Sequence, residues 1–115
     1  MIINETELIA TIRSIPDFPK EGILFRDITT LLKNADAYET LVESIAEKLR
    51  PLDVDIVIGP EARGFVIGSA VAYAVHAGFV LARKPGKLPC EVNSVSYGLE
   101  YGSDCLEIHK DAILP

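Results

Sequence analysis

Two short stretches of this sequence bring together residue types that bind anions. The first is Gly59-Pro60-Glu61-Ala62-Arg63-Gly64, which ends an apolar run and leads into a helical pattern. At a helix start the leading backbone N–H groups lack intrahelical acceptors and the dipole is positive, so an anion is favoured there. A guanidinium among those donors offers two parallel, charge-assisted hydrogen bonds, a geometry that suits phosphate or diphosphate. The second stretch is Arg83-Lys84-Pro85-Gly86-Lys87-Leu88-Pro89, which concentrates three of the eleven Lys and Arg residues in five positions. Either stretch taken alone also fits an ordinary loop whose cations point to water. Together they favour an anion site, because both follow strands whose carboxyl ends lie on one sheet edge.

The segment that must position them spans residues 54–82. Ile56, Val57 and Ile58 form a continuous β-branched run, the pattern of a parallel strand covered on both faces. Gly59 and Pro60 end that strand. A helix over residues 65–76 is predicted from Phe65, Ile67, Val71, Ala74 and Val75. Small residues between them (Gly68, Ser69, Ala70, Ala72) let the helix backbone lie close to a sheet, and Gly78 is the expected C-terminal stop. A strand, a crossover helix and a second strand at this spacing make a right-handed βαβ unit.

Around this unit the chain reads as short elements. Asn4 is an N-cap candidate with Glu7 three residues on, and Leu8, Ile9, Ile12 and Ile15 recur at helical spacing up to Pro16. Pro16-Asp17-Phe18-Pro19-Lys20-Glu21-Gly22 is expected to be a rigid, extended loop. Ile23 to Ile28 is a short apolar segment, followed by a turn that Asp27 or Thr29 caps. Asp36 is the expected cap of the next helix, where Tyr38, Leu41, Val42, Ile45, Ala46 and Leu49 give the cleanest 3.6-residue period, and Pro51 closes it. Beyond the basic loop, Val92, Val95 and Tyr97, then Leu106 and Ile108 alternating with Glu107 and His109, predict a β-hairpin or long flap. His109 is expected on a solvated strand face, and His76 at a helix end beside the negative pole of its dipole.

The 115 residues suit one small α/β domain, with a net charge of −6 and 49% hydrophobic residues. That charge argues against a nucleic acid polymer as partner, since binding a phosphate backbone needs a broad basic face. No apolar run is long enough to span a membrane, and the start lacks the pattern of a signal peptide, so the expected location is the cytoplasm. Cys90 and Cys105 have no CxxC spacing and no clustered histidines, so no metal site is expected and both read as free thiols.

Taken in order, these segments resemble the adenine phosphoribosyltransferases. The match is carried by Ser14-Ile15-Pro16-Asp17-Phe18-Pro19, Gly22-Ile23-Leu24-Phe25-Arg26-Asp27-Ile28, Gly59 to Phe65, Arg83 to Pro89, Ser96-Tyr97 with Leu99-Glu100-Tyr101-Gly102, and Leu106-Glu107-Ile108-His109-Lys110-Asp111-Ala112. The resemblance implies a phosphoribosyltransferase-type α/β fold: a partial parallel sheet with flanking helices and a β-hairpin flap. Residues 1–34 would form the base-binding region and residues 35–115 the core and flap of a single domain. The implied reaction is purine salvage, in which phosphoribosyl diphosphate and adenine give AMP and diphosphate. Mg²⁺ would enter with the phosphoribosyl diphosphate, and the family works as a homodimer.

Carried onto this chain, the resemblance has Phe25 stack on adenine while the backbones of Leu24 and Arg26 bond its edge. The loop holding Glu61, Ala62 and Arg63 would bind diphosphate, with a cis peptide at Glu61-Ala62. Arg83 and Lys87 would meet the same diphosphate, at least one of them across the dimer interface. Glu100 would exchange a proton with the base, and Tyr101 would help to close the site. Two departures stand out. Cys90 occupies a position that is usually small, often glycine. The family's further buried strand, its adjacent acidic pair and its Thr/Gly-rich 5′-phosphate loop have no counterpart up to Pro115. A polypeptide ending there is expected to lack turnover, and the alternative reading is a non-catalytic remnant that binds a purine or an anion at most.

Overall fold

In the computed structural model, residues 3–99 and 102–115 are described. The chain clusters into two compact units, Met1–Lys48 and Leu49–Pro115.

In the first unit, helix α1 (Glu5–Ala10) starts at Asn4, whose side-chain oxygen accepts from the Glu7 N–H at 2.8 Å while its amide donates to the Glu7 carboxylate at 2.7 Å. The first bond satisfies one donor that a helix start leaves open, and the second holds the capping side chain in place. The helix is shorter than its apolar spacing predicts. Ile15 lies in strand β1 (Arg13–Ile15), which pairs antiparallel with β2 (Phe25–Asp27) in the register Ser14↔Arg26. Cross-strand hydrogen bonds at residues 13–15 outweigh a helical continuation whose last turn would run into Pro16.

The proline-rich connection is not extended. It folds back on itself, with the Phe18 N–H donating to the Ile23 carbonyl at 3.1 Å and the Gly22 N–H to Asp17 Oδ1 at 3.0 Å, and its Phe18-Pro19 peptide is cis. Asp27 then accepts from the backbone and hydroxyl of Thr29, starting the short helix α2 (Thr29–Leu32). Asn34, not Asp36, caps helix α3 (Ala35–Leu49): its Oδ1 accepts from the Ala37 N–H at 3.1 Å. Ala37, Thr40 and Ala46 are the deepest residues of α3, so small side chains set its closest approach. Thr40 satisfies its buried hydroxyl by accepting from the Ile3 N–H.

The second unit opens with a 3₁₀ turn (Arg50–Leu52), then strand β3 (Ile56–Pro60), helix α4 (Arg63–Val75) and strand β4 (Gly78–Ala82). β3 and β4 are parallel, with Ile58 opposite Val80, which makes the expected βαβ unit. α4 ends on His76, which adopts the left-handed conformation at φ 60° and takes the role expected of Gly78. The Ala77 N–H closes the turn on the Ala72 carbonyl at 2.8 Å. Helix packing requires glycine at two places: a Cβ on Gly59 would lie 2.6 Å from Phe79 Cζ, and one on Gly68 would lie 2.6 Å from Phe79 Cε1. Phe79 fills the space both leave, and its ring meets Phe65 edge to face at 6.2 Å. β3 is not covered on both faces, since Ile56 is 38% exposed and Ile58 45% exposed. The β-branched run therefore reflects strand preference as much as burial.

Strands β5 (Val92–Leu99) and β6 (Gly102–His109) form the antiparallel hairpin anticipated from the alternation. A further antiparallel bridge joins Arg83 to Glu107 and fastens the hairpin base beside the end of β4.

Candidate anion and base sites

The loop after β3 contains the cis Glu61-Ala62 peptide and leads directly into α4, whose first residue is Arg63. Ala62 is the N-cap and offers no side-chain acceptor, so the capping oxygens common at helix starts are absent from this one. The loop after β4 packs against it through Glu61. One carboxylate oxygen, Oε1, accepts from the Lys84 backbone N–H at 2.9 Å and from Arg83 Nε at 3.2 Å. The Lys84 N–H, followed by the Arg83 side chain and the nearby charge of Lys87, holds the Glu61 carboxyl below the usual glutamate range despite partial desolvation. The Glu61 N–H also donates to the Ala82 carbonyl, so main chain and side chain bind the same neighbouring segment. Arg83 is further fixed by its face, with the guanidinium carbon 5.7 Å above the Phe65 ring centroid.

Glu61, Ala62, Arg63, Arg83 and Lys87 thus lie on two loops that touch. The arrangement brings the N-terminus of α4, which begins with Arg63, beside the Arg83–Lys87 loop, and a helix start next to a cationic loop suits an oxyanion.

Sequence reasoning passed over two acids on β6. Glu107 Oε1 accepts from the Gly86 N–H at 3.2 Å, its Oε2 accepts from the Ser94 hydroxyl at 2.6 Å, and its main chain exchanges two hydrogen bonds with Arg83. Asp104 Oδ2 lies 3.5 Å from Lys84 Nζ. The Cys105 N–H, above all, keeps the Asp104 carboxyl below its ordinary value, and desolvation followed by the Asp104 charge raises the Tyr97 phenol. Strict alternation made Glu107 look like part of a solvated strand face, whereas Asp104 shares a face with Leu106 and Ile108 and meets Lys84 there. His109 is likewise engaged, with Nε2 2.5 Å from the Pro89 carbonyl. Cys90 takes a left-handed backbone at φ 69°, which accounts for glycine as the residue best suited to that position. Glu100 and Tyr101 fall outside the described residues.

In the first unit, Phe25 sits on β2 with its ring edge-on to Phe18 at 5.1 Å, while Leu24 immediately before it is 52% exposed. Arg26 donates to the Ser14 hydroxyl at 2.5 Å and, with Ile9, Ile12 and Ile28, lines a cleft of about 490 Å³. Asp27, behind this surface, is held at a pKa of about 2 by hydrogen bonds from the Thr29 hydroxyl and N–H and from Arg13. The short β1–β2 pair is therefore tied at its Asp27 end. Among the described residues there is no cluster of three or more His, Cys, Asp or Glu side chains that could hold a metal. No described helix is long and apolar enough to cross a membrane.

No family model matches the chain. Individual relatives do. The adenine phosphoribosyltransferase of Alkaliphilus metalliredigens is 61% identical over 104 residues, covering 90% of this chain and 61% of the relative. The crystal structure of adenine phosphoribosyltransferase from Thermoanaerobacter pseudethanolicus superposes with a TM-score of 0.90 at 53% identity, covering 95% of this chain and 63% of that one. The Saccharomyces cerevisiae enzyme, solved in complex with D-2,5-dideoxy-2,5-imino-altritol 1,6-bisphosphate and adenine, superposes with a TM-score of 0.87 at 39% identity, covering 94% and 64%. The chain spans about 60% of the length of the curated relatives it matches. By sequence and by fold, over the part of those relatives that it spans, the chain is similar to adenine phosphoribosyltransferases.

Proposed function

We propose that this chain provides the base-binding and diphosphate-binding parts of a purine-salvage transferase that joins adenine to phosphoribosyl diphosphate, giving AMP and diphosphate. The observation that carries this reading is the clamp of Glu61 on the Arg83–Lys84 segment beside the start of α4, in a chain 61% identical to an adenine phosphoribosyltransferase. Diphosphate leaves with growing negative charge as the sugar carbon becomes cationic. Arg83, held in place by Glu61 and Phe65, stabilises that charge together with Arg63 and Lys87. The leading N–H groups of α4 add donors. Phe25 offers a ring face to adenine, and the Leu24 and Arg26 backbones bond the edge of the base. Glu100 exchanges the base proton and Tyr101 closes over the site. Mg²⁺ would enter with phosphoribosyl diphosphate and would supply screening of the diphosphate charge.

The working form is a cytoplasmic homodimer. Val66 and Tyr73 on α4, 41% and 89% exposed, are apolar surface that a second copy covers. Titration calorimetry with adenine, hypoxanthine and magnesium diphosphate tests the proposal. Adenine is expected to bind in preference to hypoxanthine and to be lost in Phe25→Ala, and diphosphate to be weakened in Arg83→Gln. Absence of both adenine and diphosphate binding overturns it. Sedimentation of the parent chain and of Tyr73→Glu tests the dimer.

A further inference from the structure

The basic loop is held from two sides, and only one of its holders has a part in the reading above. Glu61 grips the loop at Arg83 and Lys84. Glu107 grips it further along: its main chain pairs with that of Arg83 through two hydrogen bonds of 2.9 and 2.7 Å, and its carboxylate accepts from the Gly86 N–H. The second carboxylate oxygen is bound by Ser94 on β5, so Glu107 is anchored to the hairpin as well as to the loop. Gly86 itself has φ 81°, the left-handed turn that carries the chain from Lys84 to Lys87, and a hydrogen bond to its N–H fixes that turn.

We propose that Glu107 is a positioning residue of the anion site: by holding Gly86 and Arg83 it sets where the Arg83 and Lys87 cations stand, and it fastens that loop to the hairpin. The inference rests on the diphosphate reading and deepens it. Its sign is diagnostic. A carboxylate near a site for anions weakens anion binding through charge alone, so removing it should tighten binding if charge were its only effect. Positioning predicts the opposite for a variant that loses the hydrogen bonds, and not for one that keeps them.

The test is calorimetric titration of magnesium diphosphate into the full chain and its Glu107→Ala, Glu107→Gln and Ser94→Ala variants, with amide hydrogen exchange read at Gly86. Glu107→Ala is expected to weaken diphosphate about tenfold, the loss of one to two hydrogen bonds, and to speed Gly86 exchange. Glu107→Gln keeps an oxygen for Gly86 and an NH₂ for Ser94, and should bind as tightly as the parent or more tightly. Ser94→Ala, which frees one end of the tether, should fall between Ala and the parent. Diphosphate bound by Glu107→Ala as well as by the parent, or Glu107→Gln as weak as Glu107→Ala, overturns the inference. If Glu107→Ala fails to fold, Glu107→Asp takes its place: one methylene too short to reach both partners, it should weaken binding where Gln does not. If the parent takes no diphosphate, the diphosphate-binding half of the proposed function fails and this inference with it, and unchanged Gly86 exchange in Glu107→Ala would overturn the hold on the loop independently.

Discussion

Arg83 stacks its guanidinium 5.7 Å above the Phe65 ring while its Nε donates to Glu61 at 3.2 Å, so one side chain is fixed by a face and by an edge at once. An arginine constrained in this way loses little further freedom when an anion arrives.

Replacing Phe65 by Leu keeps apolar volume and removes the ring. The expected result is a loss of about 1–2 kcal/mol of stability from the lost cation–π contact and the lost edge-to-face contact with Phe79, with weaker diphosphate binding, as read by thermal unfolding and calorimetry. Arg83→Lys should cost binding more than stability, because a lysine has neither the stacking face nor the forked donors.

Gly68→Ala drives a Cβ to 2.6 Å from Phe79 Cε1 and should destabilise the second unit by about 1–3 kcal/mol. Combining it with Phe79→Leu should recover part of the loss. A double-mutant cycle by urea unfolding that shows simple additivity would contradict the contact.

Cys90→Gly should stabilise the chain by about 0.5–1 kcal/mol, since a left-handed backbone costs an L-residue about 1–2 kcal/mol and glycine returns part of that gain as chain entropy. The check is the urea midpoint at unchanged slope.

Asp27 sets an acid limit on the first unit. Its pKa is lowered from 3.8 to about 2, so its contribution is fully present above pH 3.8 and is lost as the pH falls through about 2. Asp27→Asn should be less stable than the parent at neutral pH, with a gap that stays constant down to about pH 5 and closes toward pH 2. Unfolding curves at stepped pH measure it.

Much of this was legible in the sequence. The βαβ unit, the hairpin and the two cationic loops follow from apolar period, Gly/Pro punctuation and charge density, all of which are local. What was not legible depends on partners distant in sequence. Ile12 and Ile15 keep helical spacing with α1, yet residues 13–15 find a better set of hydrogen bonds in β2. The proline-rich loop reads as extended because each proline favours that locally, whereas the Phe18 to Ile23 hydrogen bond turns it back. Glu107 looked like one more polar residue on an alternating strand, and its use appears only when the end of β4 is laid beside β6.

The placement of Phe79 also bears on how the parallel strands find their alignment. Side chains alternate along a strand, so shifting β4 by one residue against β3 would turn Phe79 to the opposite sheet face. The hollow left by Gly59 and Gly68 would then face Val80 or Gly78, neither of which fills it, and the ring would lie where no hollow exists. A bulky ring facing two absent side chains works as a key cut for one register, and it penalises the neighbouring pairings that a run of interchangeable β-branched residues would otherwise permit.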